Sequence, residues 1–154
     1  MAVGKIKEAF YRDALAEYKK RLQKYCSFSI IEVADEKTVE NATATEIDQI
    51  KDKEGQRLLK YISDKDFCIT LEIAGRQLDS VAFSDYIEER MVSGVSSIVF
   101  VIGGSLGLST QVCDRSNFSL SFSKMTFPHQ FMRVILSEQI YRAFRIMKNE
   151  PYHK

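Results

Sequence analysis

Two stretches of this chain hold the residue types that a small-ligand site needs. Phe100-Val-Ile-Gly-Gly-Ser-Leu-Gly-Leu108 is an apolar run passing into glycines, and Leu120-Ser-Phe-Ser-Lys-Met-Thr-Phe-Pro-His-Gln-Phe-Met-Arg133 is one passing into hydroxyls without an acid. In an α/β protein, strand-to-helix turns of this kind expose backbone donors and acceptors, and turns following neighbouring strands meet at the carboxyl edge of the sheet. Phe122, Ser123, Lys124, Met125, Thr126 and Phe127 are therefore expected to line a pocket able to take an adenine ring. Gly103 would let a ligand approach the main chain, although a tight turn alone also calls for glycine.

Better-known glycine motifs do not fit. Gly103-Gly104-Ser105-Leu106-Gly107 lacks the Gly-x-Gly-x-x-Gly spacing, and no acid lies between Asp114 and Glu138 to hold a ribose about 20 residues on. A Gly-Lys-Ser/Thr phosphate loop is absent too, which excludes a P-loop nucleotide hydrolase.

The remaining chemistry sits near the end of the chain. His129 and His153 are the only histidines, too few for a histidine metal centre, and no metal is expected. His129 follows Pro128 and could simply bond near a helix start. Pro151-Tyr152-His153-Lys154 combines a ring, an imidazole and a cation, a set suited to RNA because a ring stacks on a base while a cation meets phosphate. Chain ends ordinarily fray, which is the plainer reading. Arg133, Arg142, Arg145 and Lys148 add positive charge to the preceding helix, as a solvated face would also do.

Composition bounds the classes. A chain of 154 residues with 45% apolar content suits one globular domain over residues 1–154. A net charge of +1 excludes a protein that coats nucleic acid nonspecifically, so any RNA contact is a local patch. Cys26, Cys68 and Cys113 are odd in number and far apart, which fits reduced core thiols in a cytoplasmic protein better than a disulfide or zinc framework. No apolar run reaches the roughly 18 residues of a membrane helix.

The elements that must position these residues alternate. A short first strand ends at Gly4-Lys5. A helix from about Lys7 to Lys24 follows, with Phe10, Ala14, Tyr18 and Leu22 on its core face. Phe28–Val33 reads as a strand. Thr43-Ala-Thr-Glu46 has capping-box spacing and opens a helix to about Tyr61, with Ile47, Ile50, Leu58 and Ile62 inward and Gly55 marking a bend or close packing. Phe67–Ile73 is a strand, and Asp79 caps a helix with Phe83, Ile87 and Met91 on one face. Ser97–Ile102 lacks alternation, as a strand buried on both faces does. A short helix after Leu108, a strand at Phe118–Phe122 and a long helix from Pro128 to about Met147 complete an α/β pattern.

With those elements in place, Ala2-Val-Gly-Lys5, Asp35-Glu-Lys37, Glu54-Gly-Gln-Arg57, Leu71-Glu-Ile-Ala-Gly75, Phe100-Val-Ile-Gly-Gly-Ser105, Leu120–Gln130 and Tyr152-His-Lys154 occur in an order and over a length that resemble the RlmH-type ribosomal RNA large subunit methyltransferases of the SPOUT superfamily. The resemblance implies a parallel sheet with helices on both faces and a C-terminal trefoil knot, an exception to the rule that chains do not thread loops. It also implies S-adenosylmethionine as cofactor, with the family's cofactor positions falling on Leu71, Gly103 and Phe122 to Phe127. The implied reaction is methyl transfer to N3 of a pseudouridine in 23S rRNA, in a stem-loop at the subunit interface of the assembled 70S ribosome, by a homodimer. Neither DNA nor a membrane is an implied partner. Two departures stand out: Leu106 replaces a usually polar residue, and fewer strand residues precede Ala2-Val-Gly-Lys5 than in family chains, so a shortened first strand is expected.

Because a sulfonium donor is already activated, such a protein needs mainly to align donor and acceptor and to help N3 lose its proton. His153, Arg142 and His129 are the candidates for that chemistry, with Tyr152, Lys154 and Arg133 as candidate RNA contacts. A ribosome-associated RNA-binding protein that keeps the fold without catalysis is the alternative reading.

Overall fold

A computed structural model describes residues 1–38 and 40–153, and divides them into two compact units built from interleaved segments. The first comprises Met1–Lys5, Ile30–Arg76 and Ser97–Met125, and holds the sheet. Its strands are β1 (Ala2–Val3), β2 (Glu32–Val33), β3 (Phe67–Gln77), β4 (Ile98–Ile102) and β5 (Phe118–Ser121), in the order β2-β1-β4-β3-β5. Pairing is parallel between β1 and β2, β1 and β4, and β3 and β4, the arrangement that strand-helix alternation implies.

Two helices belong to this unit, α2 (Ala44–Leu59) and α4 (Thr110–Arg115). The capping box at the start of α2 is fully formed. Thr43 Oγ1 accepts from the Glu46 amide at 3.3 Å, and Glu46 Oε2 accepts from the Thr43 amide at 2.8 Å. Val3, Val33, Leu58, Cys68, Val101 and Val112 form the core beneath the sheet.

Close packing, not a bend, accounts for Gly55. Helix α2 runs through it, and a Cβ there would lie 2.2 Å from Ser109 Oγ and 3.2 Å from Val112 Cγ2. Gly75 answers to a different constraint. A Cβ on it would come within 2.7 Å of the Leu120 carbonyl carbon and 2.8 Å of the Ser119 carbonyl group, so β5 crosses it backbone on backbone.

The second unit comprises Ile6–Ser29, Gln77–Ser96 and Thr126–Lys154, with helices α1 (Ala9–Leu22), α3 (Ser80–Val92) and α5 (His129–Met147). Helix α5 packs against both α1 and α3. Leu22, Tyr141 and Phe144 centre the packing with α1, and Ser84 Oγ donates to the Ala143 carbonyl at 3.0 Å from the α3 side. Asp79 caps α3 as expected, accepting from the Ala82 amide at 2.8 Å. Pro128, the expected first residue of the last helix, is instead the N-cap of α5, which begins one residue later at His129.

Several expectations shift in detail. The inward face of α1 is Tyr11, Leu15, Tyr18 and Leu22, one residue out of phase at its start, so Phe10 is 60% exposed. Met91 is 45% exposed, whereas Phe83 and Ile87 are buried. Only Glu32–Val33 of the strand expected over 28–33 pairs in the sheet, while β3 extends past Ile73 to Gln77. No helix among the described residues is long and apolar enough to cross a membrane.

Candidate functional site

In the sheet-bearing unit three chain segments converge at one edge. The register of β3 on β4 sets Leu71 beside Ile102, so Leu71 lies level with the start of the glycine turn at Gly103. From the other flank of β3, Ser121 Oγ donates to the Ile73 carbonyl at 3.0 Å and to the Ser123 carbonyl at 3.1 Å, fastening the end of β5 and the start of its loop. Leu71, Gly103, Phe122 and Ser123 are thus brought to one edge by hydrogen bonds between neighbouring strands. Ser123 Oγ also accepts from the Met125 amide at 2.9 Å, which turns the loop and leaves Lys124 and Met125 exposed. Thr126 and Phe127 fall in the helical unit, where the Phe127 ring meets Phe131 edge-on at 6.3 Å.

The glycine turn is closed on itself. The Gly107 amide donates to the Gly104 carbonyl at 3.1 Å, with Gly107 at φ +89°, a conformation that favours glycine. A Cβ at Gly103 would meet the Gly107 carbonyl oxygen at 2.7 Å, and one at Gly104 would meet Glu54 Oε2 at 2.9 Å. Both glycines accordingly make room for the chain's own atoms, the tight-turn alternative of the sequence reading. Leu106 is half-buried in this turn.

Glu54, which the charge run Lys51-Asp-Lys-Glu54 assigns to solvated surface, is instead buried beside this turn. It is 5% exposed, and Oε1 accepts from the Glu36 amide at 2.9 Å. Burial pushes its carboxyl above the ordinary carboxylate value, the Glu36 amide opposes that rise, and the nearby Asp35 charge adds to it. Arg57 fastens the same loop, donating to the Ala34 carbonyl at 2.9 Å and pairing with the Glu36 carboxylate. A signal was present: Glu54 continues the inward spacing of Ile47, Ile50 and Leu58, where an apolar residue would be expected. Glu72, next to Leu71, also escaped notice. Its Oε1 accepts from Thr70 Oγ1 at 2.6 Å and Ser119 Oγ at 2.9 Å, tying β3 to β5.

In the helical unit Pro151 and Tyr152, in the tail expected to fray, are held in place. The Tyr152 ring lies edge-on to Tyr141 at 5.0 Å under the Arg142 guanidinium at 4.7 Å, and its hydroxyl donates to Glu138 Oε1 at 3.2 Å. Burial, followed by the proximity of Tyr18 and Glu138, pushes the Tyr152 phenol up to about 12. Glu138 accepts from Arg142 Nη2 at 2.6 Å and Nε at 3.0 Å, and Arg142 Nη1 lies 3.4 Å from His153 Nδ1. Arg145 holds the preceding residues, donating to the Pro151 carbonyl at 3.1 Å and pairing with Glu150 at 2.8 Å.

Arg142, Tyr152 and His153 are therefore gathered into one cluster, with His153 exposed. His129 is half-buried at the first position of α5 and Arg133 is 3% exposed one turn later, so neither joins that cluster. Lys154 lies outside the described residues.

The whole chain also has counterparts. The family model described as "Predicted SPOUT methyltransferase" matches residues 1–153. A protein of Clostridium botulinum (strain Hall) named ribosomal RNA large subunit methyltransferase H is 59% identical over 154 residues, covering 100% of this chain and 97% of the relative. Its namesake in Clostridium kluyveri is 53% identical, again over 100% of this chain and 97% of the relative. With a match from residue 1 to residue 153 and majority identity to such relatives, the chain belongs to the SPOUT methyltransferase family.

Proposed function

We infer that this protein is an S-adenosylmethionine-dependent methyltransferase that modifies N3 of a pseudouridine in 23S rRNA, acting on the assembled 70S ribosome as a cytoplasmic homodimer. The observation that carries the reading is the meeting of Leu71, Gly103 and the loop beginning at Phe122 at one sheet edge, in a chain whose relatives are named for large-subunit rRNA methylation. A trefoil knot through the C-terminal region belongs to this reading.

The residues at that edge suit the cofactor. Ile73 is 55% exposed and Met125 71% exposed, apolar surface of the kind an adenine ring covers, alongside main-chain groups of the glycine turn and the loop after β5. Leu71, Gly103 and residues 122–125 would hold the cofactor, which supplies a methyl group on an activated sulfonium.

Arg142 and His153 are the groups we assign to the acceptor base. An arginine only donates, so a hydrogen bond across the 3.4 Å between Arg142 Nη1 and His153 Nδ1 requires a ring whose hydrogen sits on Nε2. The pair then offers donors toward the carbonyl oxygens flanking N3 and favours the imide anion. For His153 to accept the N3 proton through Nδ1, its contact with Arg142 must first open. Tyr152 supports both groups through Glu138 and the Arg142 guanidinium.

The test is transfer of labelled methyl from S-adenosylmethionine to 70S ribosomes lacking the modification, with separated 50S subunits alongside and the product nucleoside identified by mass spectrometry. N3-methylpseudouridine from 70S alone is the expected result. Cofactor binding without transfer to either particle would overturn the reading in favour of a noncatalytic ribosome binder.

A further inference from the structure

Consecutive residues of α2 touch both ends of the glycine loop. Glu54 lays Oε2 against Gly104, at the point where a Cβ would stand 2.9 Å away, and Gly55 admits Ser109 Oγ to within 2.2 Å of its own missing Cβ. Ser109 in turn caps α4, accepting from the Val112 amide at 3.4 Å. The loop from Gly103 to Ser109 is thus bedded on one turn of α2. A buried carboxylate is a costly group for mere packing, and a methionine or leucine would fill the same space without desolvating a charge. What the carboxyl adds is a hydrogen bond: Oε1 accepts from the Glu36 amide at 2.9 Å, in a loop that Arg57 also fastens.

We propose that Glu54 is a positioning residue for the cofactor loop, its carboxyl joining the segment at Glu36 to the turn at Gly103-Gly104. The inference rests on the reading above that the cofactor binds at this turn, and Glu54 acts through the turn without touching the cofactor. The charged groups around it are Asp35 and Glu36 from the β2–α2 segment and Arg57 one turn along α2. The neutral isostere glutamine retains the shape and an acceptor oxygen. Alanine retains neither.

The experiment compares the full-length wild type with Glu54→Ala and Glu54→Gln by two readouts: amide hydrogen exchange over residues 103–109 without cofactor, and calorimetric affinity for S-adenosylmethionine. Glu54→Ala is expected to speed exchange in that loop and to weaken binding by about tenfold or more, since small misplacements at a site are costly. Glu54→Gln is expected to restore both. If Glu54→Ala does not fold, Glu54→Asp, which withdraws the carboxyl by one methylene without altering the loop, should produce the same paired losses.

Unchanged exchange and unchanged binding in Glu54→Ala would overturn the proposal, as would weakened binding with an undisturbed loop. A glutamine variant as impaired as alanine would overturn the argument from shape. If the wild type itself fails to bind S-adenosylmethionine, the cofactor reading falls, and the exchange comparison still decides whether Glu54 holds the turn.

Discussion

Gly55→Ala sets local propensity against packing, and the two disagree in sign. In an isolated helix, alanine gains about 1 kcal/mol over glycine. Within this chain the new Cβ would lie 2.2 Å from Ser109 Oγ, 3.1 Å from Ser109 Cβ and 3.2 Å from Val112 Cγ2. Ser109 and Val112 are 2% and 0% exposed, so neither has free space to retreat into. Overpacking of a dense core costs about 1–3 kcal/mol, and so close an approach sits at the upper end. Displacing Ser109 also weakens the cap of α4, worth about 1 kcal/mol. The balance is a loss of about 2–3 kcal/mol, read as a lower denaturant midpoint and a melting temperature reduced by about 5–10 °C for a chain of this size. Adding Ser109→Gly to Gly55→Ala removes both Ser109 contacts and should recover most of the loss, leaving a coupling above about 1 kcal/mol in the double-mutant cycle. A Gly55→Ala protein at least as stable as the wild type would refute the packing argument.

Other outcomes follow from the same geometry. Thr43→Ala removes one side of the α2 capping box and should cost about 0.5–2 kcal/mol in urea unfolding. Because the folded-state carboxyl of Glu54 is raised, its contribution to stability is fully present below the ordinary carboxylate value and is lost as pH rises through the folded value. Glu54→Gln should therefore flatten the dependence of the denaturation midpoint from about pH 4 upward, and an unchanged slope would place the titration elsewhere. Tyr152→Ala should release His153 and lower methyl transfer to ribosomes while leaving S-adenosylmethionine affinity at the wild-type value; a drop in cofactor affinity would contradict the assigned division of labour. Substituting Tyr152 by phenylalanine removes the hydroxyl's bonds to Glu138 and Tyr18 while keeping the ring, for about 0.5–1.5 kcal/mol per bond in unfolding and a smaller loss of transfer.

The alternation of strands and helices was legible because apolar periodicity changes from runs to three-and-four spacing at each boundary, and because Thr43, Asp79 and Pro128 mark helix starts chemically. The phase of α1 was not. Phe10 and Tyr11 are adjacent aromatics, so either can begin an inward face, and only packing with α5 selects Tyr11. Glu54 was hidden by its charge, which argues for solvent in any pattern blind to the glycine that meets it fifty residues later. The meeting of Gly103 and Phe122 at one edge was readable from the turns that follow their strands, whereas Leu71, inside β3, was named only by the family resemblance. The docking of Tyr152 was not, because it depends on Tyr141, Arg142 and Glu138 presenting one face of α5 to a residue that a sequence shows only within a short polar tail.

The glycines in this fold differ in how they can be traded during sequence divergence. Gly55 and Gly104 each face side chains, Ser109 and Val112 at the first and Glu54 and Val3 at the second, so a lineage could place alanine at either if the nearer partner shrank and the valine shifted slightly, and these positions would then drift together. Gly75 faces the main chain of Ser119 and Leu120, which every sequence possesses. No second substitution can compensate for a side chain there, and a chain that lost this glycine would have to reroute the approach of β5 to β3.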